Sequence, residues 1–104
     1  MITAIVQIKL SNAITLEKAT GLFSGTAQKY RDTPGLIRKY YLPSEDGGVF
    51  GGAYLWESRE AAEQLYTAEW HRYVKATYGS EPSVTYFESP VIVDNLAGSI
   101  ITEG

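Results

Sequence analysis

Apolar and polar residues alternate over the first ten positions of the chain. The apolar positions are Ile2, Ala4, Val6, Ile8 and Leu10, and polar residues stand between most of them. Alternation with a period of two is typical of a β-strand with one buried face. The chain is therefore predicted to begin with a strand.

The hydrophobic period becomes helical after Thr15, a residue type that often caps a helix. Apolar and aromatic residues then recur at spacings of three and four, at Leu16, Ala19, Phe23, Ala27 and Tyr30. The segment 32–35, Asp-Thr-Pro-Gly, ends this pattern, because proline disfavours helical geometry before it and glycine permits a turn. We predict one amphipathic helix here.

The remaining pattern predicts strands at 36–42 and 49–57, joined by a turn with an Asp-Gly hairpin signal. Ser58 is predicted to cap a second helix that continues to about Tyr78, where Gly79 ends it. A fourth strand is predicted at 82–93. The order βαββαβ predicts a ferredoxin-like α+β domain, with a four-stranded antiparallel sheet and two helices on one face. We predict this domain at 1–95 and a C-terminal tail at 96–104.

The predicted sheet has apolar residues on both faces, which indicates that both are covered. Strand one carries Ile5 among its polar positions, and strand four carries Val84 and Tyr86 on one face and Phe87 and Val91 on the other. An antiparallel sheet with one wet face normally alternates cleanly. A second copy of the chain is therefore predicted to cover the free face, giving a homodimer whose two sheets close into a barrel without free edges.

Charge and composition exclude several classes of function. The 104 residues carry a net charge of −3, which argues against nucleic acid as a partner, because phosphate binding requires a basic surface. Cysteine is absent, so disulfides, thiolate metal sites and cysteine nucleophiles are excluded. No apolar run approaches the length of a membrane span, and no targeting segment is recognisable at the N-terminus. The predicted location is the cytoplasm, with no membrane partner.

Three segments carry a resemblance to a known family. They are Pro34-Gly35-Leu36, the strand Gly51-Gly52-Ala53-Tyr54-Leu55-Trp56, and Glu60-Ala61-Ala62. In this pattern the chain resembles the dimeric α+β barrel superfamily of antibiotic-biosynthesis-type monooxygenases, and within it the YdhR-type branch. The resemblance covers nearly the whole chain, from the first strand to the end of the fourth.

The resemblance implies a pocket between the sheet and the helices that accepts flat aromatic molecules such as anthrones and quinols. It also implies reaction with molecular oxygen and no need for a metal, a flavin or another cofactor. By resemblance, Trp56 matches a tryptophan that these enzymes carry at the end of the third strand. His71 looks like a histidine that some members carry on the second helix.

His71, Tyr40 and Arg38 are the predicted catalytic residues. Oxygenation without a cofactor requires a base that converts a phenol or enol into an anion, and histidine is the side chain that changes charge near neutral pH. Tyr40 and Arg38 share a face of the second strand, where they could hold a substrate oxyanion. The alternatives are a structural or surface histidine and a solvated cross-strand pair.

The predicted substrate-binding residues are aromatic: Trp56, Tyr54, Phe23, Trp70 and Tyr86. Tyr54 and Trp56 share a strand face, since alternate residues point the same way. They could form a wall that stacks a planar ligand, or they could pack in the core under the second helix. No metal ligands are predicted, because carboxylates are not spaced to support a single histidine.

The predicted function is a cofactor-independent monooxygenase that acts on a small aromatic, quinol-like or polyketide-like molecule. Two alternatives remain open on the same scaffold. One is a non-catalytic module that binds a small ligand or haem, and the other is an isomerase that does not use oxygen. Fold by itself does not decide between them.

Overall fold

The computed structural model describes residues 1–103 of the chain. Six strands and three helices follow one another along these residues. Their bounds are β1 Ile2–Lys9, α1 Leu16–Arg31, β2 Leu36–Tyr41, β3 Val49–Trp56, α2 Arg59–Leu65, α3 Ala68–Tyr78, β4 Ser83–Glu88, β5 Val91–Asp94 and β6 Ser99–Thr102.

Four of the strands form one antiparallel sheet in the order β2-β3-β1-β4. This arrangement confirms the predicted ferredoxin-like α+β fold. The alternating apolar residues of β1 are buried, and they pack with residues of all three helices in one core. That core consists of Ile2, Ala4, Val6, Ile8, Phe50, Tyr54, Trp56, Ala62, Tyr66 and Val74. We call the sheet face that carries these residues the inner face.

Side-chain caps set the helix boundaries. The Thr15 hydroxyl accepts a hydrogen bond from the backbone N–H of Lys18 at 3.2 Å and begins α1. The second predicted helix is divided in two, because the hydroxyl of Thr67 accepts from the N–H of Trp70 at 3.1 Å and starts a new helix there. Gly79 ends α3 in the left-handed conformation, with φ of 89°.

The predicted fourth strand ends earlier than expected, at Glu88. Ser89 and Pro90 interrupt it, and proline cannot donate a ladder hydrogen bond. Residues beyond Pro90 form a separate hairpin, in which β5 pairs with β6. The boundary predicted between 95 and 96 therefore falls in the turn of this hairpin, and part of the predicted tail is strand.

Asp94 connects the hairpin to the main sheet. Its carboxylate accepts hydrogen bonds from the backbone N–H groups of Leu96 and Ala97, and from the Arg38 guanidinium at 3.0 Å. The hydrogen bond from Ala97, and then that from Arg38, hold the pKa of Asp94 below its ordinary value. An ion pair between the Met1 amino group and Glu103 joins the other end of the hairpin to β1.

Within residues 1–103, no helix combines the length and the apolar character that a membrane span requires.

Substitution by alanine should have opposite effects on stability at Gly51 and at Gly25. A Cβ at Gly51 would collide with the backbone carbonyl oxygen of Val6 on the neighbouring strand, whereas a Cβ at Gly25 in α1 would meet no atom within 4 Å. We expect Gly51→Ala to lower the free energy of unfolding by about 1–3 kcal/mol through overpacking. Gly25→Ala, its control, should raise the free energy of unfolding by about 0.5–1 kcal/mol through helix propensity. Denaturant unfolding curves measure both, and equal midpoints for the two variants would contradict this packing.

Candidate functional site

A cavity of about 150 Å³ lies between the inner face of the sheet and helices α1 and α3. The sheet contributes Val6, Ile8, Lys39, Tyr41, Phe50, Gly51 and Tyr54 to its lining, and the helices contribute Leu22, Phe23, Thr26, Lys29, Tyr30, Trp70, Tyr73, Val74 and Tyr78. Aromatic residues and two lysines dominate this set, and it contains no carboxylate and no histidine. The cavity is our candidate functional site.

Aromatic rings form most of the cavity wall and fix one another in place. Phe23 stacks on Tyr41 with ring centroids 4.5 Å apart, and Tyr30 meets Tyr54 edge to face at 5.9 Å. Phe50 also packs edge to face, against a tyrosine of α3 at 4.8 Å. Such pairs are stabilising beyond the area they bury. The wall is therefore a connected group of rings and not a set of independent side chains.

A register shift in β2 decides which residues of this strand reach the cavity. Leu36 pairs with Trp56 on β3, but Arg38 pairs with Leu55, the residue next to Trp56. β2 therefore advances by two residues where β3 advances by one. The extra residue is Ile37, and the arrangement is a β-bulge. Regular alternation would have placed Leu36 and Arg38 on the same face, and the bulge separates them.

As a consequence, Lys39 and Tyr41 occupy the inner face of the sheet. They pair with Tyr54 and Gly52, which are buried under the helices. Gly52 leaves room for its neighbours, since a Cβ there would lie 3.2 Å from the Cε atom of Lys39 and 3.0 Å from the ring of Tyr54. Gly52 thus permits the close approach of the Lys39 and Tyr54 side chains at the cavity floor.

The Lys39 amine is surrounded by the faces of three tyrosine rings. Its Nζ atom lies 3.3 Å from the ring centroid of Tyr30, 4.0 Å from that of Tyr41 and 4.6 Å from that of Tyr54. Ring faces carry partial negative charge and attract an ammonium group. Among residues 1–103, no carboxylate forms an ion pair with Lys39.

Burial changes the protonation of the groups that line the cavity. It lowers the pKa of Lys39 to about 7, and the positive charge of Lys29 adds to this effect. Burial raises the pKa of Tyr30, Tyr54 and Tyr78. Near neutral pH these phenols remain protonated and can donate hydrogen bonds, whereas Lys39 is divided between its charged and neutral forms.

Three of the predicted site residues line the cavity, namely Phe23, Tyr54 and Trp70. Arg38 and Tyr40 do not, because the bulge turns them to the opposite face of the sheet, where Arg38 pairs with Asp94. Arg38 and Tyr40 do share one face of β2, but it is the face opposite the cavity. Their catalytic role stays a prediction.

Trp56, Tyr86 and His71 also lie outside the cavity lining. Trp56 is fully buried in the core and donates its indole N–H to the Tyr66 hydroxyl at 3.2 Å. Tyr86 packs near the same tyrosine. His71 is half-buried, with its Nδ1 atom 3.9 Å from a carboxylate oxygen of Glu81. The functional roles of these residues stay predictions.

Lys39 is the principal cavity residue that sequence reasoning missed. It stands between Arg38 and Tyr40 in a strand of mixed character, and only the pairing of β2 with β3 decides its face. The adjacent Tyr40-Tyr41 pair is the one sequence feature that places aromatic residues beside it. No spacing rule distinguishes Tyr41 from Tyr40 there.

The described residues do not form a metal site. Within residues 1–103, no group of three or more His, Cys, Asp or Glu side chains is arranged to hold a metal ion.

Comparison with protein families gives one match over most of the chain. Residues 5–90 match the family model described as "Putative mono-oxygenase ydhR". No curated protein sequence matches the chain significantly.

Solved structures of similar fold include several oxygenases. The monooxygenase of the gene ActVA-Orf6 from Streptomyces coelicolor, in complex with nanaomycin D, is 23% identical, with a TM-score of 0.61 over 83% of this chain and 84% of that one. SnoaB from Streptomyces nogalater, a cofactor-independent oxygenase, is 18% identical, with a TM-score of 0.60 over 85% and 91%. A protein from Deinococcus radiodurans described as a "putative antibiotic biosynthesis monooxygenase" is 16% identical, with a TM-score of 0.64 over 90% and 97%. At these identities, the likeness establishes a shared fold.

The partial burial of the Lys39 amine predicts how the free energy of unfolding depends on pH. The lowered pKa of Lys39 means that, between about pH 7 and the ordinary lysine pKa, the unfolded chain holds a proton that the folded chain lacks. The free energy of unfolding should therefore rise with pH through this window, and the unfavourable contribution of Lys39 is fully present only below pH 7. Lys39→Met should remove this dependence.

The measurement is the difference in free energy of unfolding between Lys39→Met and the wild type at pH 6 and pH 9. We expect the variant to be more stable at pH 6, and its advantage to shrink by about 1–2 kcal/mol at pH 9, less than full linkage because the amine is partly exposed. Lys18→Met, an exposed lysine of α1, is the control. An advantage that does not change with pH would contradict the lowered pKa.

Proposed function

This chain belongs to the family described as "Putative mono-oxygenase ydhR", and we propose that it oxygenates a small aromatic molecule in the cavity between sheet and helices, without a metal or organic cofactor. The observation that carries the proposal is the cavity itself, which has aromatic rings on the sheet side and on both helices. A flat ring can stack on Phe23 and Trp70, while Tyr54 closes the floor.

The substrate must supply the electrons of such a reaction. One oxygen atom of O₂ enters the substrate and the other leaves as water, so the substrate loses two hydrogen atoms, as when a ring CH₂ group becomes a carbonyl. Oxygen accepts an electron readily from a phenolate or enolate, and slowly from the neutral molecule. A site for this chemistry therefore needs a base, a stable place for the anion and exclusion of bulk water.

The relatives support the class of reaction. SnoaB is described as a cofactor-independent oxygenase, and the Streptomyces coelicolor monooxygenase binds nanaomycin D. The neutral tyrosine hydroxyls around the cavity of this chain suit a ligand that carries oxygen atoms, because they can donate hydrogen bonds to it. The isomerase alternative would use the same cavity without consuming oxygen. The haem alternative has less support, because His71 does not line this cavity.

We also propose that two copies associate through the outer face of the sheet. Phe87, Tyr40 and Leu42 lie on this face or at its edge, and 53%, 55% and 46% of their surfaces are exposed. Tyr40 and Leu42 belong to one edge of the sheet and Phe87 to the opposite edge, so exposed apolar groups lie on both sides of this face, as is typical of an interaction surface. The outer face is opposite the cavity, so a partner on it leaves the helices free.

The function is tested by oxygen consumption of chelator-treated protein with a panel of anthrones and hydroquinones. Leu22 is 54% exposed at the opening of the cavity, so Leu22→Trp should obstruct entry and lower kcat/KM by about tenfold. Leu16→Trp is the control, because Leu16 is exposed on the same helix but does not line the cavity. We expect it to behave as the wild type.

The absence of protein-dependent oxygen uptake across the panel would contradict the oxygenase proposal. Conversion of a substrate without oxygen uptake would instead favour the isomerase.

The dimer is tested by sedimentation equilibrium of the purified chain, which should give the mass of two copies. Phe87→Glu places a charge on the outer face and should shift the population towards one copy, because a charge without a partner is costly to bury. Leu16→Glu introduces the same charge on the helical side and should leave the mass unchanged. A wild-type chain with the mass of one copy would refute the association.

A further inference from the structure

Lys39 differs from every other charged group near the cavity. Lys29 also lines it, but its side chain is exposed on α1, whereas Lys39 is half-buried on the sheet and its amine lies against three tyrosine rings. No aspartate, glutamate, histidine or arginine lines the cavity. A ligand that reaches the floor therefore meets one amine and several neutral phenols.

Two features of the sheet hold Lys39 in this position. The bulge at the start of β2 turns it to the inner face, and the missing side chain of Gly52 gives its methylene chain room beside Tyr54. A lysine at an ordinary strand position could extend to solvent. Here the side chain is directed across the rings of its own sheet and towards the ring of Tyr30 on α1.

We propose that Lys39 is the catalytic base of this site and the group that binds the resulting anion, and that the substrate is an aromatic molecule with an ionisable phenol or enol hydroxyl. This inference rests on the proposed function, because it supplies the base that cofactor-free oxygenation requires.

The proton transfer involves only the substrate and the amine. The lone pair of the neutral Nζ atom takes the hydroxyl proton, the O–H bond breaks, and its electron pair stays on the substrate oxygen. The products are an ammonium group and a phenolate or enolate, held as an ion pair in a site of low polarity. The faces of the tyrosine rings stabilise the new ammonium.

The protonation state of the amine fits this step. A base functions best when its pKa lies near the working pH, and burial lowers the pKa of Lys39 to about 7. A substrate that carries a carboxylate would instead pair with the ammonium form and keep the amine protonated. The chemistry of the site thus favours a ligand that is neutral before it binds.

The first experiment uses 4-nitrophenol, whose phenolate is coloured and which does not react with oxygen. Addition of wild-type protein, below the pKa of the free probe, should increase the phenolate absorbance and lower the apparent pKa of the probe by about one unit. Lys39→Met should abolish this shift, and Lys18→Met should retain it. An undiminished shift in Lys39→Met would overturn the proposal, whether or not the protein consumes oxygen.

The second experiment is the pH profile of kcat/KM with an anthrone that the wild type oxygenates. The wild-type value should rise with pH up to about 7 and then level, because the neutral amine is the active form. In Lys39→Met and Lys39→Arg, kcat/KM should no longer rise with pH in this range, and at neutral pH it should be about a hundredfold lower than in the wild type. Arginine keeps the charge but cannot take a proton.

The two experiments separate failure of this inference from failure of the proposed function. Loss of the rise of kcat/KM with pH in His71→Ala but not in Lys39→Met would assign the base to His71 and overturn the role of Lys39 while oxygenation stands. A probe shift that depends on Lys39, in a protein that consumes no oxygen with any substrate, would overturn Lys39 as an oxygenase base and leave an anion-binding lysine.

Discussion

The one-residue bulge in β2 determines the chemistry of the cavity. Without it, the alternation that directs Leu36 towards the core would continue to Arg38 and Tyr40, and a permanently charged guanidinium would face the rings of the inner sheet. With it, Arg38 turns outward to Asp94, and the inner face receives Lys39, a cation that can lose its proton. One backbone irregularity thus replaces a fixed charge with a titratable one.

The aromatic wall depends on the layer beneath it. β1 contributes small and medium apolar residues such as Ala4 and Val6, which are buried, and β3 contributes a glycine at the same level. Because these side chains are short, the rings above them, such as Phe23 against Tyr41 and Tyr30 against Tyr54, do not fill all the space between sheet and helices. The cavity is therefore a product of residue size at the centre of the sheet, and the large rings at its sides keep it open.

The sequence predicts those parts of this fold that depend on local signals. The alternation of β1, the cap at Thr15 and the stop at Gly79 each appear in a few consecutive residues, and each is present in the structure. The break at Pro90 had a local signal too, but the apolar β-branched residues after it resemble a continued strand. The face occupied by Lys39 had no local signal, because a bulge is defined by the partner strand.

Lys39 shows why a residue that is costly to bury can indicate function. Burial favours the neutral amine and the tyrosine ring faces favour the ammonium, so neither form is strongly excluded. A methionine would fill the same space beside Gly52 without any desolvation penalty. A lysine that served packing alone would thus be a poor choice for this position. A group that must take up a proton and then remain beside an anion requires both forms to be accessible, and the surroundings of Lys39 provide that balance.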